Sequence, residues 1–131
     1  MSRAYLDSSV ALHAVLPGGD PRARAWLDDA IRHGEEVFSS SLLELEVIRT
    51  LRREQLPLAL SRPLLDRVQM ISIDDGVLRH AATFESHIRS LDAIHLATAL
   101  LVGTTMTVVT HDAAMLSVAA DLGVPTADPL I

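Results

Sequence analysis

Glu36-Val37-Phe38-Ser39, followed by Ser41-Leu42-Leu43-Glu44-Leu45-Glu46-Val47-Ile48-Arg49-Thr50-Leu51-Arg52-Arg53-Glu54, is the stretch that decides the fold. Its first part is a short apolar run of the kind a buried strand shows. Its second part places Leu42, Leu43, Val47 and Leu51 at the three-and-four spacing of one helix face. Ser41 and Glu44 read as a capping box, so the helix is expected to open there and to run to about Glu54. The same strand-then-helix pattern recurs on both sides. Apolar runs over 4–6, 70–73 and 106–110 read as further strands. Asp20-Pro21 supplies an N-cap and a proline at the first helical position, for a helix ending near Gly34. Ser61 and Asp74 fit the caps of two more helices. Ser90 precedes an apolar helix over 91–102 that Gly103 stops, and Asp112 opens a last one ending near Gly123-Val124-Pro125. This alternation predicts an α/β fold, a central parallel sheet flanked by helices on both faces. The length of 131 residues fits one domain over 1–131. There is no repeat or linker, and Leu56-Pro57-Leu58-Ala59-Leu60 reads as a helix-to-helix turn.

Composition narrows the chemistry. There is no cysteine, which excludes disulfides, thiolate metal sites and cysteine nucleophiles. All 11 basic residues are arginine, so Schiff-base chemistry and a P-loop lysine are excluded as well. With 17 acidic residues the net charge is −6, and general electrostatics would repel nucleic acid. Action on a phosphate chain would therefore need an added positive group, and a metal ion is the obvious candidate. The start of the chain lacks a long apolar segment. The longest apolar stretch, 94–102, falls well short of the ~20 residues that span a bilayer. A soluble cytoplasmic protein with no membrane partner is expected.

Four acidic residues stand in places where surface carboxylates do not belong. Asp7 follows the first predicted strand and Asp112 the strand over 106–110, and in open parallel sheets ligands bind at the carboxyl ends of strands. Each could equally be the N-cap of the helix that follows. Glu46 falls between Leu42 and Leu43 on the wheel and faces inward, whereas Glu44 lies roughly 160° away. An ion pair from Glu46 to Arg49 or Arg53 is the competing reading. Asp92 lies in the first turn of a helix that is apolar almost all round. The helix dipole offers only ~0.3–1 kcal/mol there, too little to offset burial of a charge. Asp92 thus needs a cation, and His95 could serve only in part. An oxygen-only set of this kind selects hard ions such as Mg²⁺ or Mn²⁺.

Tyr5-Leu6-Asp7-Ser8-Ser9, Ser40-Ser41-Leu42-Leu43-Glu44-Leu45-Glu46-Val47-Ile48-Arg49, Leu91-Asp92-Ala93-Ile94-His95-Leu96-Ala97-Thr98-Ala99 and Val109-Thr110-His111-Asp112, with the closing Leu122-Gly123-Val124-Pro125, resemble the PIN-domain family, in particular VapC-like toxin ribonucleases of toxin–antitoxin pairs. The resemblance spans the whole chain and is most specific around Asp92. It implies that Asp7, Glu46, Asp92 and Asp112 are the catalytic, metal-binding positions, and it agrees with the wheel on Glu46. It also implies small hydroxyls at Ser8 and Thr110 that orient ligands or water. Many relatives carry a further acidic residue where this chain has Met115. The implied function is a Mg²⁺- or Mn²⁺-dependent endoribonuclease, the toxin of a type II toxin–antitoxin system, hydrolysing RNA by a metal-activated water. The implied partners are RNA, a cognate antitoxin and a second copy in a homodimer.

Two other classes compete. One is a non-catalytic module whose acidic pocket captures an arginine of a partner. The other is a phosphoacceptor-type signalling domain, which the missing lysine argues against. An Asp-x-Asp phosphatase is disfavoured by Ser9. Arg49, Arg52 and Arg53 could contact RNA phosphates or pair with surface acids such as Glu54. The six histidines show no tight ligand spacing; His95 reads as a buried hydrogen-bond partner and His111 as a solvent-facing loop residue.

Overall fold

The computed structural model describes residues 2–103 and 106–131. Five parallel strands, β1 (Arg3–Leu6), β2 (Glu36–Ser40), β3 (Gln69–Ile71), β4 (Met106–Val109) and β5 (Thr126–Ala127), form one sheet in the order β3-β2-β1-β4-β5. The register sets Tyr5 against Phe38 on one side and Val108 on the other. Around the sheet lie α1 (Ser8–Val15), α2 (Pro21–Arg32), α3 (Ser41–Arg53), α4 (Arg62–Leu65), α5 (Asp75–Ala82), α6 (Ser90–Val102) and α7 (Ala113–Asp121).

Both faces of the sheet are covered, which is why its strands read as continuous apolar runs rather than alternating ones. Ala4, Leu6, Val37 and Val109 point to one face and pack with α1, α2, α3 and α4 through Val10, Ala11, Leu27, Leu43, Val47 and Leu64. Tyr5, Met106 and Val108 point to the other and pack with α6 and α7 through Leu96, Ala99, Met115 and Val118. Among the described residues no helix is long and apolar enough to cross a membrane.

The local signals hold with a few corrections. The cap of α3 is Ser40, whose hydroxyl accepts from the Leu42 amide, so Ser41 is already helical and Glu44 stands exposed rather than closing a capping box. Residue 89, not Ser90, is the N-cap of α6, and no side chain caps that end. Ser61 does not cap α4; its hydroxyl donates to the Leu58 carbonyl instead. The strand expected over 70–73 pairs as 69–71. The 56–60 stretch is a helix-to-helix connection, passing through a 3-10 turn over Leu58–Ser61. Asp20, Asp74 and Asp112 do cap their helices.

Candidate active site

Strand order reverses at the centre of the sheet: β2 and β3 lie to one side of β1, β4 and β5 to the other. Splayed connections at such a point leave a crevice at the carboxyl ends of the strands. Asp7 leaves β1 there, and its amide donates to the Val109 carbonyl of β4 at 3.0 Å. Its residue is 1% exposed. Oδ2 accepts from Ser9 Oγ at 2.7 Å, Thr110 Oγ1 at 2.8 Å and the Ser9 amide at 3.4 Å. Asp7 thus caps α1, as one of its two readings expected, and it also lies in the crevice at the carboxyl end of β1. Each hydroxyl that donates to Asp7 accepts a backbone N–H in turn, Ser9 from His111 at 2.8 Å and Thr110 from Asp112 at 3.1 Å. Ser9 is a residue the sequence reading did not single out for the site. The other carboxylate oxygen, Asp7 Oδ1, is buried and has no hydrogen-bond partner among the described residues.

The Thr110 hydroxyl can be tested directly. Thr110→Val keeps the shape and removes a bond to a buried carboxylate. The expected loss is about 1.5–3 kcal/mol of stability, read by urea unfolding.

On α6, Asp92 is 8% exposed, and its Oδ2 accepts from Arg89 Nε at 3.0 Å. The same guanidinium reaches Asp112 Oδ2 from Nη2 at 3.2 Å. Asp112 Oδ1 accepts from the Met115 amide at 2.9 Å and caps α7. Burial pushes the Asp92 carboxyl above its ordinary range; Arg89 opposes this, and the nearby charges of Asp112 and Asp7 add to it. Arg89 is driven further up in turn, first by its bond to Asp92. Arg89 is the cation that Asp92 required. It sits three residues before Asp92, a spacing that pairs on a helix.

Glu46 projects from α3 toward the same crevice. Its Oε1 lies 2.6 Å from His95 Nε2, and Oε2 accepts from Ser8 Oγ at 3.2 Å. His95 is fully buried, 2.7 Å from the Tyr5 hydroxyl through Nδ1 and 3.9 Å from Asp7 Oδ1 through Nε2. Burial pushes the Tyr5 phenol well above its ordinary range, so it holds its proton and donates. The proton arrangement that satisfies all three groups is Tyr5 O–H to Nδ1 and Nε2–H to Glu46. His95 is the hydrogen-bond partner it was expected to be.

Glu46 has no ion pair with Arg49 or Arg53, and Arg53 meets Glu54 at 3.4 Å. Met115 is fully buried in the core beside Tyr5 and Leu96, so that position does not face the crevice. His111 is exposed and pairs with Asp128 at 2.8 Å. The structure therefore brings Asp7, Glu46, Asp92 and Asp112 into one neighbourhood, linked by Arg89, His95 and three hydroxyls. It does not leave them as a ready cage: among the described residues no three acidic or histidine side chains converge to hold one ion.

The profile of the PIN domain matches residues 4–121. The chain belongs to the PIN-domain family. This PIN domain is 32% identical over 130 residues to Ribonuclease VapC47 of Mycobacterium tuberculosis (strain CDC 1551 / Oshkosh), spanning 95% of this chain and 96% of that one. It is 36% identical over 105 residues to Ribonuclease VapC35 of the same organism, spanning 76% and 75%. Among solved structures, VapBC2 from Rickettsia felis, bound to a DNA fragment from its promoter, superposes with a TM-score of 0.76 at 12% identity, over 96% of this chain and 98% of that one. A toxin–antitoxin complex from Klebsiella pneumoniae gives 0.67 at 20% identity, over 96% and 97%. At those identities the structural likeness establishes the PIN-like α/β fold.

Proposed function

We propose that this PIN domain, acting as one unit over 1–131, is the toxin endoribonuclease of a type II toxin–antitoxin pair and depends on Mg²⁺ or Mn²⁺. Its substrate is RNA, its inhibitor a cognate antitoxin, its assembly a homodimer and its compartment the cytoplasm. The observation that carries the reading is Asp7 Oδ1, a buried carboxylate oxygen at the crevice with no hydrogen-bond partner among the described residues. Burying such an oxygen is costly unless something positive joins it. The four acidic side chains of this neighbourhood offer oxygen donors, the chemistry that fits a hard divalent ion.

Asp7, Glu46, Asp92 and Asp112 would hold that ion. When bound, it would polarise a phosphoryl oxygen and acidify a water. The rest belongs to the chain. Ser9 and Thr110 fix Asp7 Oδ2, so the free oxygen keeps one direction. Ser8 and His95 fix both oxygens of Glu46. Attack by water requires no side-chain nucleophile, which fits a chain without cysteine or lysine. Attack on an RNA phosphodiester with loss of the 3′ oxygen leaves 5′-phosphate and 3′-hydroxyl ends.

The purified protein is expected to cut total RNA in Mg²⁺ or Mn²⁺, to stop in EDTA, and to leave those ends on mapping. Products with 2′,3′-cyclic phosphate would overturn the mechanism. The contact of Arg89 with two acidic side chains also suits a non-catalytic pocket that captures a partner's arginine. Metal binding without any RNA cleavage would favour that alternative.

A further inference from the structure

We propose that Arg89 exchanges partners: it is the counter-ion of Asp92 and Asp112 while no divalent ion is bound, and it turns to the RNA phosphate once an ion takes those carboxylates. The inference rests on the metal-dependent reading above. Among the described residues, Arg89 is the one arginine that forms ion pairs with the acidic site residues, meeting two of the four. It occupies Asp92 Oδ2 and Asp112 Oδ2 together. An ion held by those oxygens and the present guanidinium position exclude each other.

The two halves of the pairing are unequal. Asp92 and Asp112 are 11% and 22% exposed in their side chains, whereas Arg89 is 78% exposed. The arginine is thus screened by water and free to swing, while the carboxylates keep their demand for positive charge. Arg89 precedes the first residue of α6, at the end of an irregular connection from α5, so its side chain moves without disturbing a helix.

Substrate chemistry supplies the second partner. A chain of net charge −6 without lysine has little to hold a polyanion. A guanidinium presents paired donors that match phosphate oxygens. Displaced from the carboxylates, Arg89 stands at the crevice with that fork unoccupied.

The test uses the full chain as wild type, Arg89→Gln and Arg89→Lys. Mn²⁺ alone is titrated calorimetrically, and KM for a fluorogenic oligoribonucleotide is measured at saturating Mg²⁺. Arg89→Gln is expected to bind Mn²⁺ about two- to fivefold tighter, the range an exposed ion pair is worth. It is expected to raise KM about tenfold or more, since a charged hydrogen bond to phosphate is lost. The slope of log KM against log salt should fall by about 0.7 for that one contact. Arg89→Lys keeps the charge without the fork and should lie between. Equal or weaker Mn²⁺ binding in Arg89→Gln would overturn the exchange and leave the metal site intact. Tighter Mn²⁺ binding with unchanged KM would overturn it too, leaving a counter-ion only. If none of the three proteins binds Mn²⁺, the metal-dependent reading falls and the exchange with it.

Discussion

Asp7→Asn is expected to abolish RNA cleavage while leaving the fold in place, and Asp92→Asn to do the same. Loss of a group that merely supports a metal ligand costs about 10- to 100-fold. Loss of a ligand oxygen should therefore cost at least about a hundredfold in kcat/KM. Asn caps helices as well as Asp, and its amide oxygen still accepts from Ser9 and Thr110, so α1 survives. The missing element is the second negative oxygen of Asp7.

Stability should move the opposite way from activity. The folded-state pKa of Asp92 is raised, chiefly by burial. A raised carboxyl pKa means that the native state binds its proton more tightly than the unfolded chain does. The Asp92 contribution to stability is therefore greatest at low pH and declines as pH rises from about 4 through the folded-state value. At neutral pH the charge is a net cost, so Asp92→Asn should melt higher than wild type in EDTA and lose that pH slope. Mg²⁺ should then reverse the order. A ligand at 100 times its Kd stabilises by about 2.7 kcal/mol, available to the wild type and largely lost to the variants. Equal Mg²⁺-induced shifts in all three proteins would refute a shared site.

The fold was legible in the sequence because the central strands β1 and β4 are largely buried and α2, α5 and α7 carry capping start signals. The 4–6 and 106–110 runs, and the caps at Asp20, Asp74 and Asp112, all correspond to observed elements. β5 was not legible: two residues, Thr126 and Ala127, carry no periodicity, and only their pairing with Val108 and Val109 defines them. The four carboxylates were legible because each stood against its context, a charge at a strand end or on an apolar face. Their partners were harder. Ser9 had no local peculiarity; its role exists only because the loops after β1 and β4 meet. Arg89 lay just outside the apolar helix, on its N-terminal side. Along the helix itself the sequence offers Asp92 only His95 as a partial counter-ion. His95 instead serves Glu46 and Tyr5, residues 49 and 90 positions away.

His95→Leu is expected to cost both stability and activity, and the two losses separate by a double-mutant cycle with Tyr5→Phe. Leucine fills much of the imidazole's volume, so the dominant penalty is not a cavity. It is the buried Tyr5 hydroxyl left without an acceptor, at about 1–3 kcal/mol, together with the lost bond to Glu46. Against a typical stability of about 5–15 kcal/mol this still permits folding. Tyr5→Phe alone strands His95 Nδ1 and should also destabilise. In the double variant neither Tyr5 nor His95 leaves an orphan, because both ends of their 2.7 Å bond are gone. The pair should therefore cost less than the sum of the singles, with a coupling of about 0.5–3 kcal/mol, read by urea unfolding. Activity should not recover with stability. The double variant still lacks the Nε2–H that holds Glu46 Oε1, and cleavage should stay about 10- to 100-fold below wild type. Recovery of cleavage along with stability would mean that His95 acts only as packing. Full additivity of the stability losses would mean that the Tyr5–His95 contact contributes nothing to the fold.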